Sequence, residues 1–231
     1  MKKLFKNVLS LLVVVLFLAG ISETGWATPF QNGDFETGDF MGWRGNLVFT
    51  GDVDPDMDSH FTIISNAGPN NSNVAQIKND DYDYVTELFQ DFTLDSLTPG
   101  WTMGITFWMK WIPAGQNASG EATAKLTWSD PNDPLNQDVI SILDDAGISD
   151  AALIAGTWVT LDITSFAQNH GGQNVELAFT ITDNDYKIPD SLQIDEISFN
   201  KHPAPVPEPS TVVLLGFGLA GIVGLRKKGV F

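Results

Sequence analysis

Few side chains in this sequence are equipped for catalysis. Beyond the first 27 residues the histidines are His60, His170 and His202, and there is no cysteine. Thiolate nucleophiles, thiolate metal sites and disulfides are therefore excluded. The sequence has no Gly-x-Ser-x-Gly elbow, no His-Glu-x-x-His pair and no glycine-rich phosphate loop, the local arrangements that activate a serine, hold zinc or cradle a phosphate. His170 precedes Gly171-Gly172 and is expected in a turn. A glycosidase needs two carboxylates at a set separation, but with 27 acidic residues between 28 and 202 some pair will always meet that condition. The residue types point away from an enzyme.

The aromatic residues offer different chemistry, because a flat ring can stack on the apolar face of a sugar. Trp108 alternates with core-type residues and shares its strand face with Lys110, so it is expected to stand outward. Tyr82 and Tyr84, set in an acidic loop, join it as candidate ligand-binding residues. Trp43, Trp111, Trp128 and Trp158 are read as core. Asp52, Asp54, Asp56 and Asp58 alternate along one segment, and Asp80, Asp81 and Asp83 flank the two tyrosines. Neither run has the glycine and terminal glutamate of a calcium-binding helix-loop-helix, so both are read as solvated loops.

The elements that position these residues are strands. Thr62 to Ile64, Leu88 to Leu94, Gly104 to Trp111, Thr123 to Trp128, Trp158 to Ile163, Val175 to Thr182 and Leu192 to Phe199 are β-branched or aromatic runs with period-2 alternation, separated by Asn, Gly, Asp and Pro. Alternation assigns Ile105, Phe107, Met109 and Trp111 to one inner face, with Leu126 and Trp128, Val159, Leu161 and Ile163, and Val175, Leu177, Phe179 and Ile181. One short helix is expected within Asp138 to Ile154, packing Val139, Ile140, Leu143 and Ile148. Many short antiparallel strands in a chain of this size predict an all-β sandwich of two antiparallel sheets. The 231 residues carry 12 basic against 29 acidic side chains, a net charge of −17, and this repels phosphate backbones, so nucleic acid is not an expected partner.

The two ends stand apart from this domain. Lys2, Lys3 and Lys6, the apolar run Val8 to Ile21 and the small residues around Ala27 predict a signal helix over 1–27. The domain follows over 28–202. Over 203–231, a stalk with Pro203, Pro205, Pro207 and Pro209 leads into apolar Thr211 to Leu225, then Arg226, Lys227 and Lys228. Fifteen helical residues reach only ~22 Å, short of a ~30 Å hydrocarbon core, so the segment is a marginal transmembrane helix with its basic end in the cytoplasm. The residue-level alternative is an ordinary anchor with a proline-rich stalk. The stretch Val206-Pro207-Glu208-Pro209-Ser210-Thr211, the short helix and the basic end resemble the PEP-CTERM sorting signal of Gram-negative bacteria. That resemblance implies that an exosortase reads Pro207, Glu208 and Pro209. It also implies delivery to the cell surface or extracellular matrix after transient anchoring, in an exopolysaccharide-producing setting.

A second resemblance concerns the domain. Asn32-Gly33-Asp34-Phe35-Glu36, Gly42-Trp43, Phe89-Gln90-Asp91-Phe92, Ile105 to Trp108, Gly156-Thr157-Trp158 and Ile194 to Phe199 follow in order the pattern of galactose-binding-like jelly rolls, a group that includes many carbohydrate-binding modules. The resemblance implies a structural Ca²⁺ joining the opening loop to the last strand through Glu36 and Asp195, with Asp34 and Glu196 as weaker ligands. Strand alternation should turn Glu196 away from an ion that Asp195 faces. The expectation is a noncatalytic surface protein that binds polysaccharide. The alternatives are an acidic adhesive protein with no glycan site and, behind it, a carbohydrate-active hydrolase.

Overall fold

The computed structural model describes residues 29–80, 85–114, 121–182 and 189–203. The signal segment and the sorting tail, with Pro207, Glu208, Pro209, Arg226, Lys227 and Lys228, lie outside the described residues, as do Tyr82 and Tyr84. Among the described residues no helix is long and apolar enough to cross a membrane.

Eleven strands are described: β1 (Arg44–Leu47), β2 (Gly51–Val53), β3 (Phe61–Ile64), β4 (Val74–Lys78), β5 (Val85–Thr93), β6 (Trp101–Ile112), β7 (Ala122–Asp130), β8 (Asp133–Ser141), β9 (Thr157–Asp162), β10 (Asn174–Thr182) and β11 (Ser191–Pro203). They form a six-stranded sheet ordered β2-β1-β5-β10-β7-β8 and a five-stranded sheet ordered β3-β4-β11-β6-β9. Every pairing is antiparallel. From β5 on, the chain crosses repeatedly between the sheets, and the result is a jelly-roll sandwich.

Period-2 alternation builds the layer between the sheets. Ile105, Phe107 and Met109 of β6 face Leu177, Phe179 and Ile181 of β10, all fully buried. Phe107 meets Phe179 edge to face at 5.2 Å, a geometry that adds to the burial of both rings. At one end of the sandwich Phe30 packs on Phe92 and Phe199 at 5.1 and 5.2 Å, tying the start of the domain to its last strand.

The segment expected to hold one helix divides. Val139 and Ile140 belong to edge strand β8, paired with Thr127 and Leu126; helices α1 (Ile142–Asp145) and α2 (Asp150–Ala155) follow. A short apolar run does not distinguish strand from helix by periodicity, and the free edge of β7 claims it. Helix α3 (Thr164–His170) follows β9, its entry fixed by the Asp162 carboxylate accepting from the Thr164 amide at 2.8 Å. His170 is thus not in a turn: it ends this helix, buried, stacked on Trp128 at 4.4 Å, with Nε2 2.7 Å from Asp138.

Candidate functional site

The aromatic candidate lies on the outer face of the five-stranded sheet. Phe107 and Met109 point into the core, so Trp108 and Lys110 point outward, both partly exposed. Across the strand, Trp108 is the register partner of Trp158 on β9. Trp158 is a correction: it was expected in the core but is 48 % exposed, because Val159 takes the inner position and parity sends its neighbour out. Two tryptophans therefore stand side by side on adjacent strands, with Cβ atoms about 5 Å apart by strand geometry.

Around them the face is polar, with Lys110 as the one charged residue of β6. Thr106 and Thr160 share a hydroxyl contact of 3.3 Å, and the Gln193 amide donates to Gln76 Oε1 at 3.2 Å. Gln193 is also the register partner of Lys110. The turn from α2 into β9 holds the platform from one side. Gly156 ends α2 at φ +82°, and a Cβ there would sit 2.9 Å from Cζ2 of Trp108 and 3.5 Å from Cδ of Lys110. The absence of a side chain at Gly156 leaves room for the edge of the Trp108 ring beside the backbone.

The second candidate adjoins the first, since Asp195 is the register partner of Trp108 on the β11 side. A β-bulge between Asp195 and Ser198 breaks the alternation, and Glu196 adopts the left-handed region at φ 53°. The alternation argument for Glu196 does not apply here, because a bulge resets which face each residue takes. Asp195 is fully buried. One carboxylate oxygen accepts from the Ser72 hydroxyl and the other from the Glu196 amide at 2.7 Å. Ser72 belongs to the loop between β3 and β4, which roofs the bulge. Glu36 reaches the same loop from the opening segment and accepts the Asn73 amide at 2.7 Å. The Gly33 carbonyl accepts the Ile197 amide at 2.8 Å. Three distant segments thus converge on Asp195. Burial, with help from Glu196 and Glu36, pushes the Asp195 carboxyl up to about 6, against the pull of its hydrogen bonds to Ser72 and Glu196.

This donor set suits a hard cation: a buried carboxylate with no basic partner among the described residues, a hydroxyl beside it, and a second carboxylate and loop carbonyls on the adjoining segment. Among the described residues no three or more carboxylates and imidazoles converge as a cage, so carbonyl oxygens would have to complete the coordination. The acids read as solvated loops have local work as well. Asp56 accepts the Phe40 amide at 2.9 Å, and Asp52 and Asp91 both pair with Arg44.

Residues 205–228 match the family model of the PEP-CTERM protein-sorting motif, so the chain carries that motif. No curated protein matches the sequence. Among solved structures, TmCBM61, in complex with β-1,4-galactotriose, is similar at 14% identity and a TM-score of 0.46, with 76% of this chain and 99% of that chain covered. Tailspike protein 4 of bacteriophage CBA120 gives 14% and 0.48, with 76% and 22% covered. The CBM22-1–GH10 modules of Clostridium thermocellum xylanase 10B, complexed with xylohexaose, give 15% and 0.45, with 76% and 28% covered. The chain thus spans under a third of the last two.

Proposed function

We propose that this chain is a noncatalytic, exported protein, sorted to the cell surface through its PEP-CTERM motif, whose jelly-roll domain binds polysaccharide on the outer face of the five-stranded sheet. The observation that carries the reading is the outward-facing Trp108–Trp158 pair, partly exposed at Trp108 and exposed at Trp158. Large aromatic rings rarely stand in water on a sheet without a partner, and two adjacent rings flanked by threonine and glutamine offer stacking surface together with neutral donors and acceptors. In this reading an exosortase recognises Pro207, Glu208 and Pro209, and Arg226, Lys227 and Lys228 hold the tail's end on the cytoplasmic side during transient anchoring. Tyr82 and Tyr84 are proposed as further ligand-binding residues.

Ca²⁺ is proposed at Asp195 and Glu36 as a structural ion. It would neutralise the buried carboxylate and lock the opening loop, the β3–β4 loop and the bulge together. The ion would sit beside Trp108, at its register partner on the neighbouring strand, so its role would be to keep the platform's supporting strand in place. The acidic adhesive reading is favoured by a different observation, the net charge of −17, which supports cation bridging and hydration without a pocket.

A glycan array run with and without EDTA separates these readings. Selective retention on defined glycans is expected, weakened when EDTA removes the ion. Cation-dependent self-association with no glycan preference would favour the adhesive protein, and released sugars would favour a hydrolase. Chelation should also lower the melting temperature of the wild type, and Glu36→Gln should lose most of that response; an EDTA-insensitive wild type would reject the ion.

A further inference from the structure

We propose that the polysaccharide recognised on the Trp108–Trp158 face is an acidic one, with Lys110 meeting a carboxylate on the sugar stacked against Trp108. The inference rests on the reading of that face as a sugar platform and assigns its ligand class.

Basic residues are scarce in the domain, six between positions 28 and 202, and with acids in such excess each cation has many potential partners. Arg44 is held by Asp52 and Asp91, and Lys201 by Asp95 at 2.7 Å. Among the described residues Lys78, Lys110 and Lys125 form no ion pair. Two of these three, Lys78 and Lys110, lie on the outer face of the five-stranded sheet with the tryptophans. Lys110 is the one charged residue of β6, two positions from Trp108, and so about 7 Å along the strand on the same face.

The stem of Lys110 and the edge of the Trp108 ring flank the same point at Gly156, so ring and ammonium belong to one continuous surface. Among the described residues, the carboxylates near this surface do not compete for the ammonium. Asp195 is fully buried with both oxygens engaged, Glu196 is partly buried in the bulge beside it, and Asp162 stands four residues along β9 from Trp158, about 13 Å away. The acidity of the remaining surface is screened beyond about 8 Å at physiological salt, so the local ammonium decides which sugar is accepted. Lys78 lies two strands and one pleat repeat from Lys110, about 12 Å away, and can meet a second anionic residue of the same polymer.

The test is affinity electrophoresis of the secreted protein in gels that contain polymer pairs differing in oxidation at C6: glucan and glucuronan, galactan and polygalacturonate, mannan and polymannuronate. The expected result is stronger retardation by the acidic member of at least one pair. That preference should fall about fivefold in Lys110→Gln and disappear in high salt, while Lys110→Arg retains it and the melting temperature is unchanged. Equal or stronger retardation by the neutral members, or an acidic preference that survives Lys110→Gln, overturns the inference and leaves the sugar-binding reading standing. Absence of retardation by every polymer overturns both.

Discussion

Glu176 lies on β10 opposite Asp91 of β5, two pleat repeats from the Thr180–Glu87 hydrogen bond. Burial, then the charges of Glu87 and Asp91, push its carboxyl up to about 6, with Arg44 opposing. A carboxyl raised in the folded state favours the protonated fold. Its stabilising contribution is complete below the unfolded value near 4.5 and is lost as pH rises through about 6. The melting temperature should therefore fall between pH 4.5 and 6.5, and Glu176→Gln should flatten part of that decline, by about 2–4 °C. A decline as steep in Glu176→Gln as in wild type would remove Glu176 as its source. This raised acid was not legible in the sequence, because it depends on which carboxylates the register brings opposite each other. Trp158 was legible: Val159, Leu161 and Ile163 were already assigned to the core face, and parity alone then put Trp158 outside. Motif resemblance overrode that parity, and the structure restores it.

At the scale of elements, the strands were readable wherever apolar residues alternate, since one slip in register would expose a whole face. Two features were not. Val139 and Ile140 were assigned to a helix, but an apolar run this short does not fix its period, and the free edge of β7 takes it as strand. The bulge at Glu196 depends on the β3–β4 loop and the opening segment closing over the last strand, contacts far apart in sequence. The left-handed backbone there costs a non-glycine residue about 1 kcal/mol. Glu196→Gly should therefore raise the urea midpoint and leave the slope of the transition unchanged. A lower midpoint would mean that the Glu196 side chain contributes more than its backbone costs. The core makes the opposite prediction: Phe107→Ala, in the fully buried contact with Phe179, should cost about 3–5 kcal/mol in the same titration.

At the scale of the whole molecule, the placement of the proposed site relative to the sorting signal matters most. β11 ends at Pro203, paired with Trp101 at the start of β6. Trp108 lies seven residues further along β6, about 24 Å from that end. A domain held by its C-terminal tail would thus present the tryptophan platform away from the point of attachment, with the rigid sandwich as spacer. The sorting motif was legible as a short segment because its prolines, glutamate and basic end work as local sequence. The platform was legible only by half, since alternation puts both Trp108 and Trp158 outside but their adjacency is set by strand pairing. The most direct test of the account is a titration of tryptophan fluorescence with a retained polysaccharide, comparing wild type with the double variant Trp108→Ala/Trp158→Ala. A saturable change in wild type that is absent from an equally stable double variant is the result expected, and undiminished binding by the double variant would contradict the account.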